Sequence, residues 1–269
     1  MGWFDEGGAK AELGKMFSSS PQDAKDHRVR ISVPPGNKSV FGGSMSGGGI
    51  DFSKGLWEGL SGGGGNTGGS AGDASEILAP IRRTRGIVFP YTPTMNIQHT
   101  VDYMDYDLTH TNYQFSGFSK SRPPQIDISG VFTAQSDAEA KYMIGAIHFL
   151  RTVSKMHFGE TSATPGKPPP VLRFYAYGDL MFKNVPVIIR SFSHELPNEV
   201  DYVDVEIPYS GGKKIGSKDS DSGVFKTKVP SIMSVYIGLS IQHRPSDVRT
   251  KWNYNNFRKG MLVKNEGFV

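Results

Sequence analysis

Apolar and polar positions alternate with a period of two in three stretches of this chain and follow a helical period in one. Across residues 125–133, Ile126, Ile128 and Phe132 share one face, and Gln125, Asp127 and Ser129 share the other. That period marks a half-buried strand. Residues 200–209 repeat it, with Val203, Val205, Ile207 and Tyr209 set against Tyr202, Asp204, Glu206 and Pro208. Residues 232–243 carry Met233, Val235, Ile237, Leu239 and Ile241 on one face. After the first strand comes Ser136-Asp-Ala-Glu139, the spacing of a capping box. It predicts about six turns of helix reaching residue 158, with Ala140, Met143, Ile144, Ile147 and Leu150 along one stripe. This is the longest helix the sequence predicts.

Shorter patterns fill in the chain around these. Residues 28–33 read as a strand ended by Pro34, Pro35 and Gly36, and residues 86–91 as one interrupted by Pro90. Residues 95–104 and 107–120 read as a pair of strands, the second with Thr109, Thr111, Tyr113 and Phe115 alternating against His110, Asn112, Gln114 and Ser116. Residues 171–177 and 181–192 flank a Gly178-Asp179 turn. The Pro-rich segment 161–170 and the polar, Gly-rich segment 211–222 read as loops. Short helices are expected at 3–17 and 247–261. Strands, one long helix and more strands make a mainly β fold: an antiparallel sandwich or barrel with one packed α-helix. Such sheets leave open edges that must be covered, and closure of several copies into a ring is one way to do it.

Composition changes the picture at both ends. Residues 42–72 hold 14 of the chain's 33 glycines. They bury too little apolar surface to offset backbone ordering, so an extended Gly-rich arm is expected. Three parts follow: an N-terminal extension with that arm (1–79), a β domain (80–243) and a basic C-terminal extension (244–269). Trp3, Phe4, Trp57 and Trp252 read as anchors that dock on partner proteins. The last part holds six Lys/Arg against Asp247 and Glu266, an excess equal to the chain's whole net charge of +4. A tail of that kind suits an acidic protein surface, a nucleic acid or plain solvation.

Little chemistry is signalled. The absence of cysteine excludes disulfides, zinc–thiolate sites and thiol nucleophiles. No apolar run of about 18 residues points to a membrane span. The seven histidines, His148 and His157 of the expected helix among them, fall in no metal-binding spacing. Asp102, Asp105 and Asp107 crowd together without a calcium-loop pattern and read as a polar turn. No catalytic residue, metal or cofactor is expected. The acidic strand positions Asp127, Asp204 and Glu206 carry the functional question. In a monomer they are solvated. In a ring they repeat in every copy and line a channel, where negative charge repels a DNA backbone and lets it slide. Asp204 and Glu206, about 7 Å apart by strand rise, also have the residue types of a glycoside-hydrolase pair, but no aromatic residues cluster around them.

The ordered set Asp107-Leu-Thr-His-Thr-Asn-Tyr113, Pro124-Gln-Ile-Asp-Ile-Ser-Gly130, His148-Phe-Leu-Arg151, Pro168-Pro-Pro-Val-Leu172 and Asn184-Val-Pro-Val187 resembles the baseplate tail-tube junction proteins (tail-tube initiators or caps) of contractile-tailed bacteriophages. The resemblance spans residues 80–243. It implies a tail-tube-like fold of two packed sheets and a helix, with six copies ringed around a channel. Such a homohexamer sits on the baseplate hub, among surrounding baseplate proteins. It templates the tail tube, or a second junction ring, above it, and genomic DNA passes through without specific binding. The implied location is the virion's tail baseplate, assembled in the host cytoplasm. The resemblance leaves open whether this is the first or second ring, or the tube subunit itself.

Overall fold

The computed structural model describes residues 28–34, 40–41, 77–82, 84–156, 158, 166–178, 180–213 and 220–269. The expected helix at 3–17, the Gly-rich arm, Trp3, Phe4, Trp57 and His157 lie outside the described residues.

Among the described residues the first element is β1 (Arg30–Ser32), followed by α1 (Ala79–Arg82), β2 (Gly86–Val88), β3 (Thr94–Gln98), β4 (Val101–Tyr106), β5 (Phe115–Ser121) and β6 (Gln125–Thr133). Then come α2 (Asp137–Val153), β7 (Leu172–Ala176), β8 (Phe182–Glu195), β9 (Tyr202–Lys213), β10 (Ser220–Pro230) and β11 (Ile232–Ile241). Three short helices close the chain: α3 (Pro245–Lys251), α4 (Tyr254–Arg258) and α5 (Met261–Glu266). The fold is mainly β, and its strand pairs are antiparallel.

Seven strands make one sheet in the order β2-β1-β7-β8-β11-β6-β3. It does not close on itself: β2 and β3 are its edges, so a closed barrel is absent from the described residues. The period-two stretches supply its middle. Ile126, Ile128 and Phe132 of β6, and all five apolar residues of the same β11 face, are buried. Each such side chain contributes roughly 1.5–3 kcal/mol by leaving water. β1, from the segment read as an N-terminal extension, fills the sheet between β2 and β7 and buries Val29, Ile31 and Val33.

The helix starts where its capping box places it. The Glu139 amide donates to Ser136 Oγ at 3.4 Å, while the Glu139 carboxylate accepts from the Gln135 amide at 2.8 Å, one residue before the cap. It ends earlier than expected, at Val153. Near that end, Thr152 and Ser154 turn their hydroxyls onto the carbonyls of His148 and Arg151, a competition with the helical ladder typical of these residues. The buried stripe is also wider than the heptad-like reading. Tyr142, Gly145, Ala146, Phe149 and Val153 are buried, whereas Ile144 and Ile147 are only partly so. The reason is that α2 has neighbours on several sides. It packs on β2 and β6 of the sheet, on α1, and on the β9–β10 ribbon. Gly145 permits the α1 side: a Cβ there would stand 3.1 Å from the Ile77 carbonyl oxygen.

Three expectations give way. Residues 95–104 are not one strand but β3 and β4, which belong to different sheets. Residues 107–114 are not strand but the turn of the β4–β5 ribbon, with His110 in the left-handed region and Thr111 Oγ1 donating to the Leu108 carbonyl. Their β-forming residues alternate but have no core to face. Segment 211–222 is not simply a loop, because β9 runs on to Lys213 and β10 begins at Ser220, making a long two-stranded ribbon.

The basic C-terminal segment folds back on the sheet. Leu262 and Phe268 are buried, Phe268 stacks on His243 with ring centroids 4.0 Å apart, and Lys251 bonds Glu266 at 2.8 Å. The single helix expected at 247–261 is two, with Trp252 between α3 and α4.

Candidate functional site

The sheet is covered on one face only over β3, β6, β11 and the outer half of β8. The register sets out what stands on the uncovered face, because side chains directly opposite on neighbouring strands share a face. One row runs Asn96, Asp127, Gly238, Ser191, and the next runs Thr94, Ser129, Tyr236, Ser193. Gln98 and Gln125 begin a third, which runs on to the buried Ser240. These rows hold hydroxyls, amides and one carboxylate, with no lysine or arginine among them. Gly238 keeps the first row flat. A Cβ there would come within 2.7 Å of Ser191 Oγ and 3.4 Å of Asp127 Oδ1. Asp127 thus stands exposed on an open polar face.

Asp204 and Glu206 are elsewhere. They lie on the outer face of the β9–β10 ribbon, each opposite a lysine. Lys226 Nζ sits 2.8 Å from Glu206 Oε1, and Lys228 Nζ sits 3.4 Å from Asp204 Oδ1. The bond to Glu206 holds the Lys226 ammonium above the ordinary lysine range. The two carboxylates therefore have their charge matched locally. They share no row with Asp127.

The β3 edge is unpaired among the described residues and leads straight into the β4–β5 ribbon. That ribbon is a two-stranded sheet of its own. It exposes Tyr103, Met104, Tyr113, Phe115 and Phe118, each more than half accessible. Tyr103 and Phe118 meet edge to face at 6.1 Å, and the Tyr106 ring lies over Gly117. At its base the Arg122 guanidinium grips Asp102 at 2.8 Å. Lone two-stranded ribbons are marginal in water, and large exposed apolar patches mark interaction sites. The sequence reading missed this surface. Its signal was the density of aromatic residues between 103 and 118 without a partner strand to bury them.

Of the proposed anchors, Trp252 is described. It is 46% exposed and stands 6.5 Å from Phe257, with Tyr254 exposed nearby in α4. Among the described residues no three His, Asp or Glu side chains gather as a metal site. The crowding of Asp102, Asp105 and Asp107 resolves into separate roles. Asp102 binds Arg122, Asp105 accepts from Ser116 Oγ at 2.6 Å, and Asp107 begins the turn. Burial lowers the pKa of His148, His194 and His243. No helix among the described residues is long and apolar enough to cross a membrane. A scan against protein-family models finds no match, and a search of curated proteins finds none.

Proposed function

We propose that this chain is a structural subunit of a ring, and that the ring is the baseplate tail-tube junction of a contractile phage tail. The observation that carries the reading is the open sheet face, polar and free of cationic side chains along its rows, bounded by an edge strand that is unpaired among the described residues. Six copies joined around an axis would turn that face into a channel wall. Asp127 would repeat around the wall, and hydroxyls and amides would fill the space between. Such a wall repels phosphate weakly and offers DNA no cation to adhere to. The β4–β5 ribbon would bury its aromatic residues against neighbouring protein, and Trp252 with Phe257 would supply a second contact. The tail-tube-like fold, the hub below, the tube or second ring above and the surrounding baseplate proteins come from the sequence resemblance and belong to the same proposal, as does the virion location.

A hydrolase reading gains nothing from the site. Asp204 and Glu206 sit on an exposed ribbon face, paired with Lys228 and Lys226. Electron microscopy of assembled tails tests the proposal. A single six-fold ring of this chain at the hub–tube boundary is expected. Its absence there overturns the reading, and many copies along the tube would make the chain the tube subunit instead.

A further inference from the structure

Helix α2, strand β8 and the β9–β10 ribbon enclose a groove of about 320 Å³ that the ring reading does not use. Ile144, Ile147, Ile207 and Phe225 line it, and His148, Arg151 and His194 stand in its wall. No carboxylate lines it among the described residues. Lys228 borders it too, but its ammonium is engaged by Asp204 on the far face of the ribbon.

Arg151 is exposed, and its guanidinium makes no ion pair among the described residues. The two imidazoles beside it are partly buried, and burial together with the Arg151 charge lowers both of their pKa values. At neutral pH the groove therefore presents one fixed positive charge and two neutral rings, each with one N–H to donate. The apolar surface does not stop at the mouth. Leu196 is 56% exposed and Phe225 is 45% exposed. An occupant that covers both must extend beyond the cavity, which suits a length of polypeptide and not a small enclosed molecule.

We propose that this groove docks an acidic segment of a partner protein, which seats an apolar side chain against Ile147 and Phe225 and places a carboxylate on Arg151. The charge complementarity is one-sided, since the groove supplies a cation and no competing anion. His148 and His194 add N–H donors to the same carboxylate. A bound anion favours the protonated imidazoles, so docking tightens as pH falls. The other charged groups around them do not oppose this. Asp204 and Glu206 are held by lysines on the far ribbon face, and Glu195 alternates with His194 onto the other side of β8. The proposal stands whether or not the ring reading holds.

The test uses the full chain and a fluorescein-labelled peptide, Gly-Leu-Trp-Glu-Asp-Gly, followed by fluorescence anisotropy. Saturable binding is expected. It should weaken about tenfold with Arg151→Glu, and by a similar factor when the peptide's acids are replaced by their amides. Lys155→Glu, exposed just beyond the helix end, should leave binding unchanged. Affinity should be higher near pH 5.5 than near pH 7.5. Should Arg151→Glu fail to fold, Arg151→Gln reads the same loss. Absence of peptide binding overturns the proposal, as does binding indifferent to Arg151. Arg151-dependent binding of dodecanoate without binding of the peptide would make the groove a lipid site and also overturn it. So would a change in self-association on Arg151→Glu, which would assign the groove to a second copy of this chain.

Discussion

The Tyr142 hydroxyl of α2 donates to the Val88 carbonyl at 2.7 Å and accepts from the Val88 amide at 2.8 Å. One side chain thereby satisfies both backbone groups of a residue on the edge strand β2. It ties the helix to the sheet and blunts the edge opposite β3. The two edges differ: β2 is short, buried and capped, while β3 is longer and, among the described residues, open. Tyr142→Phe leaves both Val88 groups buried without their partner. It should lower stability by about 3 kcal/mol in denaturant titration. Burial pushes the Tyr142 phenol well above the ordinary tyrosine range. The stability tied to its proton is complete below about pH 10 and is lost as pH rises further, a loss the phenylalanine variant should not show.

The C-terminal helices should be held by the ring stack of His243 on Phe268. Phe268→Ala should cost about 3 kcal/mol and expose this segment to proteolysis. Burial lowers the His243 pKa, with Asp247 and Arg173 pulling in opposite directions. Its contribution is therefore present above the ordinary histidine pKa of about 6.5 and is lost as pH falls, since the unfolded chain takes the proton first. Thermal melts at stepped pH should show that loss reduced in His243→Phe, which keeps an aromatic ring in place.

The β4–β5 ribbon should matter to assembly and not to folding. Tyr113→Ser with Phe118→Ser removes apolar surface that already faces water. Monomer stability should stay within about 0.5 kcal/mol of the parent. Incorporation into particles, read by gel analysis of purified tails, should fail. Unchanged incorporation would remove the ribbon from the contact surface.

Asp204→Asn with Glu206→Gln should change stability by less than about 1 kcal/mol, because both side chains belong to exposed ion pairs. Assembly should proceed. Loss of a cell-wall-degrading activity in the double variant would show that these carboxylates do chemistry.

The sheet's centre was legible because its strands are half-buried. At β6 and β11 the period of two is the burial pattern itself, and Ser136 and Glu139 announce the helix start through local hydrogen bonds. What stayed hidden depends on long-range pairing. Nothing local in β6 says that Asp127 will stand in a row with Asn96, Gly238 and Ser191, since those strands come from three separate parts of the chain. The same holds for Asp204 and Glu206, which look equivalent to Asp127 by alternation yet face Lys226 and Lys228 on another sheet. The ribbon turn at 107–114 was misread because threonine and tyrosine favour extended backbone whether or not a core awaits them. Strand β10 was overlooked because glycine and charge at its start mask the alternation of Phe225, Thr227 and Val229.

The open face is the centre of the account, and the lack of native cysteine allows it to be marked uniquely. Asp127→Cys, labelled with a maleimide gold cluster and assembled into tails, can be imaged end on by electron microscopy. Six densities around the rim of a central lumen are expected. Labels on the outside of the tail, or a chain that forms no ring, would contradict it.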